Sequence, residues 1–508
     1  MTLSTSTPRR LDRRAVGWLR YLHRKATTPD SWDRDGRPHE HWDNLSDPPM
    51  LCWHRFDLID STYAVAMMAD VTPAWREVYA RILDELILRH TGWWAASDWL
   101  TQIGHDPDRA NYPDIYRLLI PEHLWGSYDV PGWTANGVEP WGLQMDPIGA
   151  DGNLFFKGFF LVMLGLHLRT TGDDRWNRPF DIVRDGDNTF TWFHSAIAEH
   201  LHAQWTNAPY GCHCENTKVW PYCLAGAGLG LQLHDLLRGT DYHAVFHRWF
   251  ADMCRGTYLH LDGPELPQAV TLYYDPILDV HHEVPVMFGM VPAPYLAPQV
   301  PDDARRLFEA GIRQLGIWDA TGPVAPIGPR ASATALWMAK EWGLHPLAQA
   351  LDTAVDEHYQ PTWDDARGEF TWGFGLGEPH PRGQYNGTMA AAQIASEGSW
   401  THLATVGPGA RFIEPTVVDV DFPTVALTEA WWDAHQQTLF VTPEPANPRA
   451  ANEPTTFRVG NLTDPTRWRV ETDDGERVES FARDDALEVH TNAAPRRHRV
   501  VPRVSARS

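Results

Sequence analysis

Thr72-Pro-Ala-Trp75-Arg-Glu-Val78-Tyr79-Ala-Arg-Ile82-Leu-Asp-Glu-Leu86 sets the fold class. Thr72 offers an N-cap and Pro73 a preset φ at the first helical position. Trp75, Val78, Tyr79, Ile82 and Leu86 then recur at helical intervals on one face. The spacing predicts an amphipathic helix with one buried side. The same pattern recurs over 58–69, 154–170, 193–204, 218–237, 244–258, 304–315, 332–342 and 347–358, each run stopped by Gly, Pro or Asp-Gly. Weaker segments bring the total to about a dozen helices, interrupted only by short strand-like pieces at 271–274 and 369–374. A dozen helices in successive hairpins are what an (α/α)6 toroid, or barrel, requires, its inner helices enclosing a funnel. No fixed-period repeat supports the alternative of an extended α-solenoid.

The flanks read differently. Residues 1–50 form an N-terminal arm: a polar tail, a short amphipathic helix bearing Ala15, Trp18, Leu19 and Leu22, then an aperiodic stretch rich in Pro, Asp and Trp. The catalytic helical domain is expected over 51–413. Over 414–495 short strands, at 416–420, 438–441, 456–459, 468–471 and 487–490, predict a small β-rich region. The arginine-rich stretch 496–508 is expected to be disordered.

Acidic residues outnumber basic ones 66 to 43, a net charge of -23 that repels phosphate backbones and argues against a nucleic-acid partner. Arg9, Arg10, Arg13 and Arg14 are not followed by an apolar run, so no export signal is expected. The longest apolar stretch, 154–168, is shorter than a membrane span requires and reads as a buried core helix. Five cysteines, three of them clustered, make a poor disulfide framework and fit a reducing cytoplasm. The 25 tryptophans can line a wide apolar pocket, although gap-filling between helices accounts for aromatic residues equally well.

Chemistry concentrates in Gly211-Cys212-His213-Cys214-Glu215-Asn216, followed by Trp220, Tyr222 and Cys223 where a loop enters a helix. Zinc is one reading, but structural sites use separated Cys pairs, and the adjacent His213 and Cys214 diverge. Buried small residues at a helix start are a second. The third is acid/base chemistry: a thiol can donate a proton or, once stabilised as thiolate, accept one, with Glu215 as tuner. Gly226-Ala-Gly228-Leu-Gly230 lacks the preceding strand of a dinucleotide loop and fits close helix packing instead. No cofactor is expected.

The run from Cys214 to Cys223 resembles the linalool dehydratase/isomerase family. So do Asn153-Leu-Phe-Phe-Lys-Gly158, the stretch from Gly377 to Asn386 and the stretch from Glu414 to Pro423; the resemblance covers about residues 50–425. It implies an (α/α)6 barrel, assembled as a homo-oligomer, that dehydrates or isomerises a small apolar isoprenoid alcohol without metal or cofactor. It further implies that Cys214 and Cys223 act on the substrate, that Asp57 polarises or receives a proton, and that Tyr63 holds the hydroxyl. Two departures stand out: Phe159 replaces an expected histidine, and His281 an expected tyrosine. His281 is therefore expected to supply the missing imidazole, unless His281-His282-Glu283 is only a loop-to-helix junction.

The chemistry expected is protonation of a hydroxyl, loss of water to an allylic cation, and deprotonation at a neighbouring carbon. Phe155, Phe156, Phe159, Trp220, Tyr222, Trp372 and Phe374 are the candidate lining. Two other catalytic readings remain: an isoprenoid cyclase using the same acid, and a carbohydrate enzyme with Asp57, Glu215 and Glu283 as carboxylates. A non-catalytic binding barrel is the last.

Overall fold

Asp12 caps α1 (Arg13–Thr27), its carboxylate accepting the Ala15 N–H at 2.7 Å. In the computed structural model the described residues are 10–28, 54–91, 138–139, 142–143, 146–152, 154–185, 188–214, 218–276, 279–325, 327–374 and 383–503. The helices that follow are α2 (His54–Val71), α3 (Arg76–Thr91), α4 (Leu154–Thr171), α5 (His194–Thr206), α6 (Pro221–Arg238) and α7 (Ala244–Trp249), which runs on as a π-helix over Phe250–Tyr258. Then come α8 (Val286–Gly289), α9 (Ala293–Leu296), α10 (Pro301–Gln314), α11 (Pro329–Glu341), α12 (His345–His358), α13 (Gly383–Ile394) and α14 (Ser399–Thr405).

The stretch that sets the fold class starts its helix three residues later than the capping pattern predicts, at Arg76 rather than Pro73. Thr72 closes α2 instead: its hydroxyl donates to the Met68 carbonyl at 3.2 Å, and its own carbonyl accepts from Trp75 N–H at 3.0 Å. A threonine side chain reaching back one turn has won over the cap. The predicted face of Trp75, Val78, Tyr79, Ile82 and Leu86 is buried as expected.

Six helices, α2, α4, α6, α9, α11 and α13, each touch the next, and α13 closes on α2. The others pack against these: α3 on α2 and α4, α5 on α4 and α6, α10 on α9 and α11, α12 on α11, and α1 on α13. Glycines set the closest approach. A Cβ at Gly158 would lie 2.7 Å from that of Ala227, one at Gly230 would lie 3.0 Å from that of Leu161, and one at Gly165 would lie 2.9 Å from that of Leu233. Positions 158, 161 and 165 of α4 thus face 227, 230 and 233 of α6, so the two helices run parallel. Gly226 sits under the ring of Phe159, and Gly228 against Phe246. The glycine pattern serves helix packing, as read. α2 and α13 run parallel by the same logic, with Gly383 against Asp57 and Gly387 against the Asp60–Ser61 backbone.

α4 is 18 residues long, enough by length and composition to cross a membrane, which the apolar run alone was not. It lies 89% buried within the protein, as a core helix does.

Short hairpins join the helices: β1 (Val138–Glu139) with β2 (Gly142–Leu143), β3 (Phe180–Asp185) with β4 (Asn188–Trp192), β5 (Ala269–Asp275) with β6 (Val280–Pro285), and β7 (Pro361–Asp364) with β8 (Glu369–Trp372). The C-terminal region is an eight-stranded antiparallel sheet. Its strands are β9 (Thr416–Val418), β10 (Val425–Asp433), β11 (Thr438–Pro445), β12 (Pro454–Gly460), β13 (Trp468–Thr472), β14 (Arg477–Arg483), β15 (Ala486–Asn492) and β16 (His498–Pro502). They lie in the order β10-β11-β16-β13-β14-β15-β12-β9. The chain is therefore mainly helical with a β-rich C-terminus.

Two expectations at the ends are corrected. The stretch expected to be disordered from 496 contains β16, a strand paired on both sides, with Val500 fully buried. Within β16 His498, Val500 and Val501 are buried and Arg499 only partly, so the surrounding arginines masked a short apolar core. The arm expected over 1–50 includes α1, whose Trp18, Leu19 and Leu22 join the core and whose Arg20 donates to the carbonyls of Pro423 and Glu444, tying helices to sheet.

Gly226→Ala is expected to destabilise the protein by about 1–3 kcal/mol, because the new methyl meets the Phe159 ring. Phe159→Leu in the same chain is expected to recover part of that loss in urea unfolding.

Candidate active site

The cysteine segment caps the start of α4. His213 offers its carbonyl to the Leu154 N–H at 3.0 Å, and the Cys214 sulfur accepts the Phe155 N–H at 3.3 Å. Both occupy donors a helix start leaves open, the setting in which a thiolate is favoured. The Lys157 ammonium, one turn on, interacts electrostatically with Cys212 and Cys214. Burial lowers Lys157 to about 8, and its amine donates to the Ala150 carbonyl and to Gln204 Oε1. Burial pushes the Cys212 thiol up to about 12, Lys157 opposing, and lowers His213.

The Cys214 N–H donates to the Lys218 carbonyl at 2.8 Å, closing the loop, and Val219 exchanges both backbone hydrogen bonds with Tyr274 of β5. Lys218 and Asp275 form a fully buried ion pair at 3.1 Å. Pro221 then opens α6, and Cys223 is its third residue. Cys223 shares the helical stripe of Ala227 and Gly230, which faces α4. One turn before the Ala227–Gly158 contact, in a parallel pair, that stripe meets the first turn of α4, where Cys214 is bonded. The packing of α4 on α6 thus sets the two helix starts that carry Cys214 and Cys223 at the same end of the pair.

From this end a wall of aromatic rings extends. Phe155 stacks on Phe159 at 4.4 Å, Phe159 lies 5.5 Å from Tyr222 and 5.2 Å from Tyr295, and Tyr295 lies 5.9 Å from Tyr63. Trp337 and Trp400 close around Tyr63. The Tyr222 and Tyr295 hydroxyls are 3.2 Å apart, and Arg330 of α11 donates to Tyr222. Gln299 fixes this arrangement, its amide donating to the Ala225 and Tyr295 carbonyls. The Tyr63 hydroxyl is fully buried, and hydrogen bonding from Tyr295 acts on it against the effect of burial.

Asp60 belongs to this cluster. Burial raises its carboxyl to about 6, against the opposing pull of Arg330, Gln384 and Thr388. Burial, reinforced by Asp60, also raises Tyr63 well above the ordinary phenol value.

Of the residues singled out in the sequence, Cys214, Tyr63, Phe155, Phe159 and Tyr222 come together, and Cys223 lies in the first turn of α6 at the same end. Asp57 is drawn elsewhere: its carboxylate meets Lys25 of α1 at 2.5 Å, both fully buried, with Ser61 donating to it. At 100° per residue, Asp57 and Tyr63 stand about 120° apart around α2, and Asp60 and Tyr63 only about 60°. Phe156 stacks on His90 of α3 at 4.1 Å, because it points off the face shared by Phe155 and Phe159. Trp220 packs on Tyr273 of β5, and Trp372 on Phe370 of β8. Phe374 reaches the cluster's edge through Tyr385. Glu215 lies outside the described residues.

His281 does not supply the imidazole missing at Phe159. Residues 280–285 form β6, a strand and not a loop, which runs into α8 at Val286, and strand alternation turns His281 and Glu283 outward. His281 stacks on Tyr274 at 4.5 Å, and exposed Glu283 pairs with His260. Asp57 and Glu283 are therefore not gathered as a glycosidase pair. Among the described residues, no three His, Cys, Asp or Glu side chains converge as a metal would need.

Phe56, Asp60, Tyr295 and Arg330 were not singled out in the sequence. The i, i+3 spacing of Asp60 and Tyr63 was the available signal. Nothing local marked Tyr295 or Arg330.

Residues 122–370 match the linalool dehydratase/isomerase family, a segment that includes the Asn153–Gly158 and Cys214–Cys223 motifs. The family resemblance is borne out over that segment. Among solved structures the chain is similar to endoglucanase CelQ from Clostridium thermocellum complexed with cellotriose, at 11% identity and a TM-score of 0.36 over 97% of this chain and 93% of that one. That likeness is too distant to bear on the chemistry.

Lys25→Met, which strands the Asp57 carboxylate, is expected to cost about 3–5 kcal/mol in denaturant unfolding. The double variant with Asp57→Asn is expected to recover most of it.

Proposed function

We propose that this protein is a lyase/isomerase of the linalool dehydratase/isomerase kind, acting on a terpenoid or other isoprenoid alcohol by metal-independent acid/base chemistry. In this reading the closed series α2, α4, α6, α9, α11 and α13 is the inner ring of an (α/α)6 toroid, and the aromatic wall lines its lumen. The family match over 122–370 and the parallel run of neighbouring ring helices support it. The observation that carries the chemistry is the Cys214 sulfur on the Phe155 N–H, at one end of a wall that continues to Tyr63 and Asp60.

The alcohol oxygen accepts a hydrogen bond from the Tyr63 hydroxyl. Asp60, whose raised carboxyl holds its proton closer to neutrality than an ordinary aspartic acid, protonates that oxygen, and water departs. Asp60 fills the role left vacant by Phe159. The allylic cation lies against the faces of Phe155, Phe159, Tyr222 and Tyr295, each contributing about 0.5–2 kcal/mol. The Cys214 thiolate removes a proton from the adjacent carbon, leaving an alkene, and Cys223 shares the proton. Return of water at the other allylic carbon gives isomerisation.

The test is incubation with terpene alcohols from hemiterpene to diterpene length in the presence of a chelator, with products identified by mass spectrometry. Absence of turnover with every alcohol would overturn the reading. Cys214→Ser keeps an acceptor for the Phe155 N–H and is expected to hold stability while losing about 10²–10⁴-fold in kcat. Cys214→Ala is expected to lose the same activity and, in addition, about 0.5–2 kcal/mol of stability with the cap. A role limited to capping would leave Cys214→Ser active.

Asp60 acts as an acid, so its competent form is the protonated one. Activity is therefore expected to fall as pH rises through about 6, and the step is expected to vanish in Asp60→Asn. A flat profile across that range in the native enzyme would exclude Asp60 as the donor.

A further inference from the structure

Among the described residues, three other buried cations meet a carboxylate, Lys25 with Asp57, Lys218 with Asp275 and Arg169 with Asp70, while Lys157 and Arg20 are held by carbonyl oxygens. Arg330 has neither kind of partner among the described residues. It is the second residue of α11 and half-buried, with its guanidinium 5.2 Å from the Tyr222 ring and 5.6 Å from that of Phe56. It donates to the Tyr222 hydroxyl, yet among the described residues no carboxylate forms an ion pair with it. Asp60 acts on it only through space.

A guanidinium placed among aromatic rings without an anion is costly, and the fork of its N–H groups matches a planar carboxylate. It also conflicts with the chemistry. A fixed positive charge beside a developing carbocation opposes its formation, and an anion bound to that charge removes the opposition. The surroundings set the size of the anion. Arg330 is the one cation described in the cluster, and Asp60 and three tyrosines stand around it, which suits a monoanion and disfavours a diphosphate.

We propose that the substrate carries a carboxylate, seated on Arg330, at one end of its isoprenoid chain; the pocket is then built for an isoprenoid hydroxy acid. This deepens the dehydratase reading and rests on it for the reacting hydroxyl, but the carboxylate seat is tested by binding alone. Geranic acid, geraniol and geranyl diphosphate are titrated into the full-length protein with tryptophan fluorescence as the readout. Geranic acid is expected to bind at least tenfold more tightly than geraniol. Arg330→Met is expected to abolish that preference, read as the ratio of the acid and alcohol dissociation constants. Arg330→Lys is expected to restore part of it, and it serves as the readout if the methionine variant does not fold by circular dichroism.

Equal or weaker binding of the acid, binding of neither probe, or a preference that survives in both variants overturns the proposal. Arg330-dependent preference for the diphosphate overturns the carboxylate assignment. Turnover of neutral alcohols without any preference for the acid sinks this inference and leaves the dehydratase reading standing. Tight, Arg330-dependent binding of the acid without turnover of any alcohol does the reverse.

Discussion

The contact between α4 and α6 is the constraint on which the rest depends. Two helices can bring their backbones this close only where one side offers no Cβ, and Gly158 and Gly165 on α4 alternate with Gly226 and Gly230 on α6 to provide that. The register that results is parallel, so both helix starts lie at the same end. Cys214 reaches one start by capping it, and Cys223 belongs to the other. Widening the pair would separate the two helix starts and unseat Phe159, whose ring is held over Gly226 and forms the middle of the aromatic wall.

Charge is handled differently on the two sides of that wall. Away from the cluster, two buried ion pairs position elements: Lys25 with Asp57 anchors α1 to α2, and Lys218 with Asp275 fixes the entry to α6 against β5. Such pairs return little net stability after desolvation but make a misplaced element expensive. Within the cluster the matching stops. Asp60 and Arg330 share the space without an ion-pair contact, the first raised by burial and the second held charged by its phenolic and acidic neighbours. Groups left in that state are available to something other than the protein.

The helical character, the buried face after Thr72, the packing role of the 226–230 glycines and the thiol segment were all legible in the chain, because each rests on residues close in sequence. The readings that failed share a cause. His281 was expected to replace the imidazole missing at Phe159 because both positions depart from the family pattern, but a strand turns alternate residues outward, and the hairpin partner β5 that makes it a strand is set by pairing. Residues 498–502 looked too basic to be ordered, and only the flanking β11 and β13 show what their valines are for. The family resemblance pointed to Asp57, although Lys25, over thirty residues earlier, claims it.

Sequence by itself therefore determined which residue types were at hand and which short segments would coil, since periodicity and capping are local. Which side chains share a pocket was decided by the tertiary structure. Asp60, Tyr295 and Arg330 lie on α2, α9 and α11, elements hundreds of residues apart at the extremes. No local pattern encodes that meeting, because it is fixed by the closure of helix upon helix, and only burial in common gives those groups their chemistry.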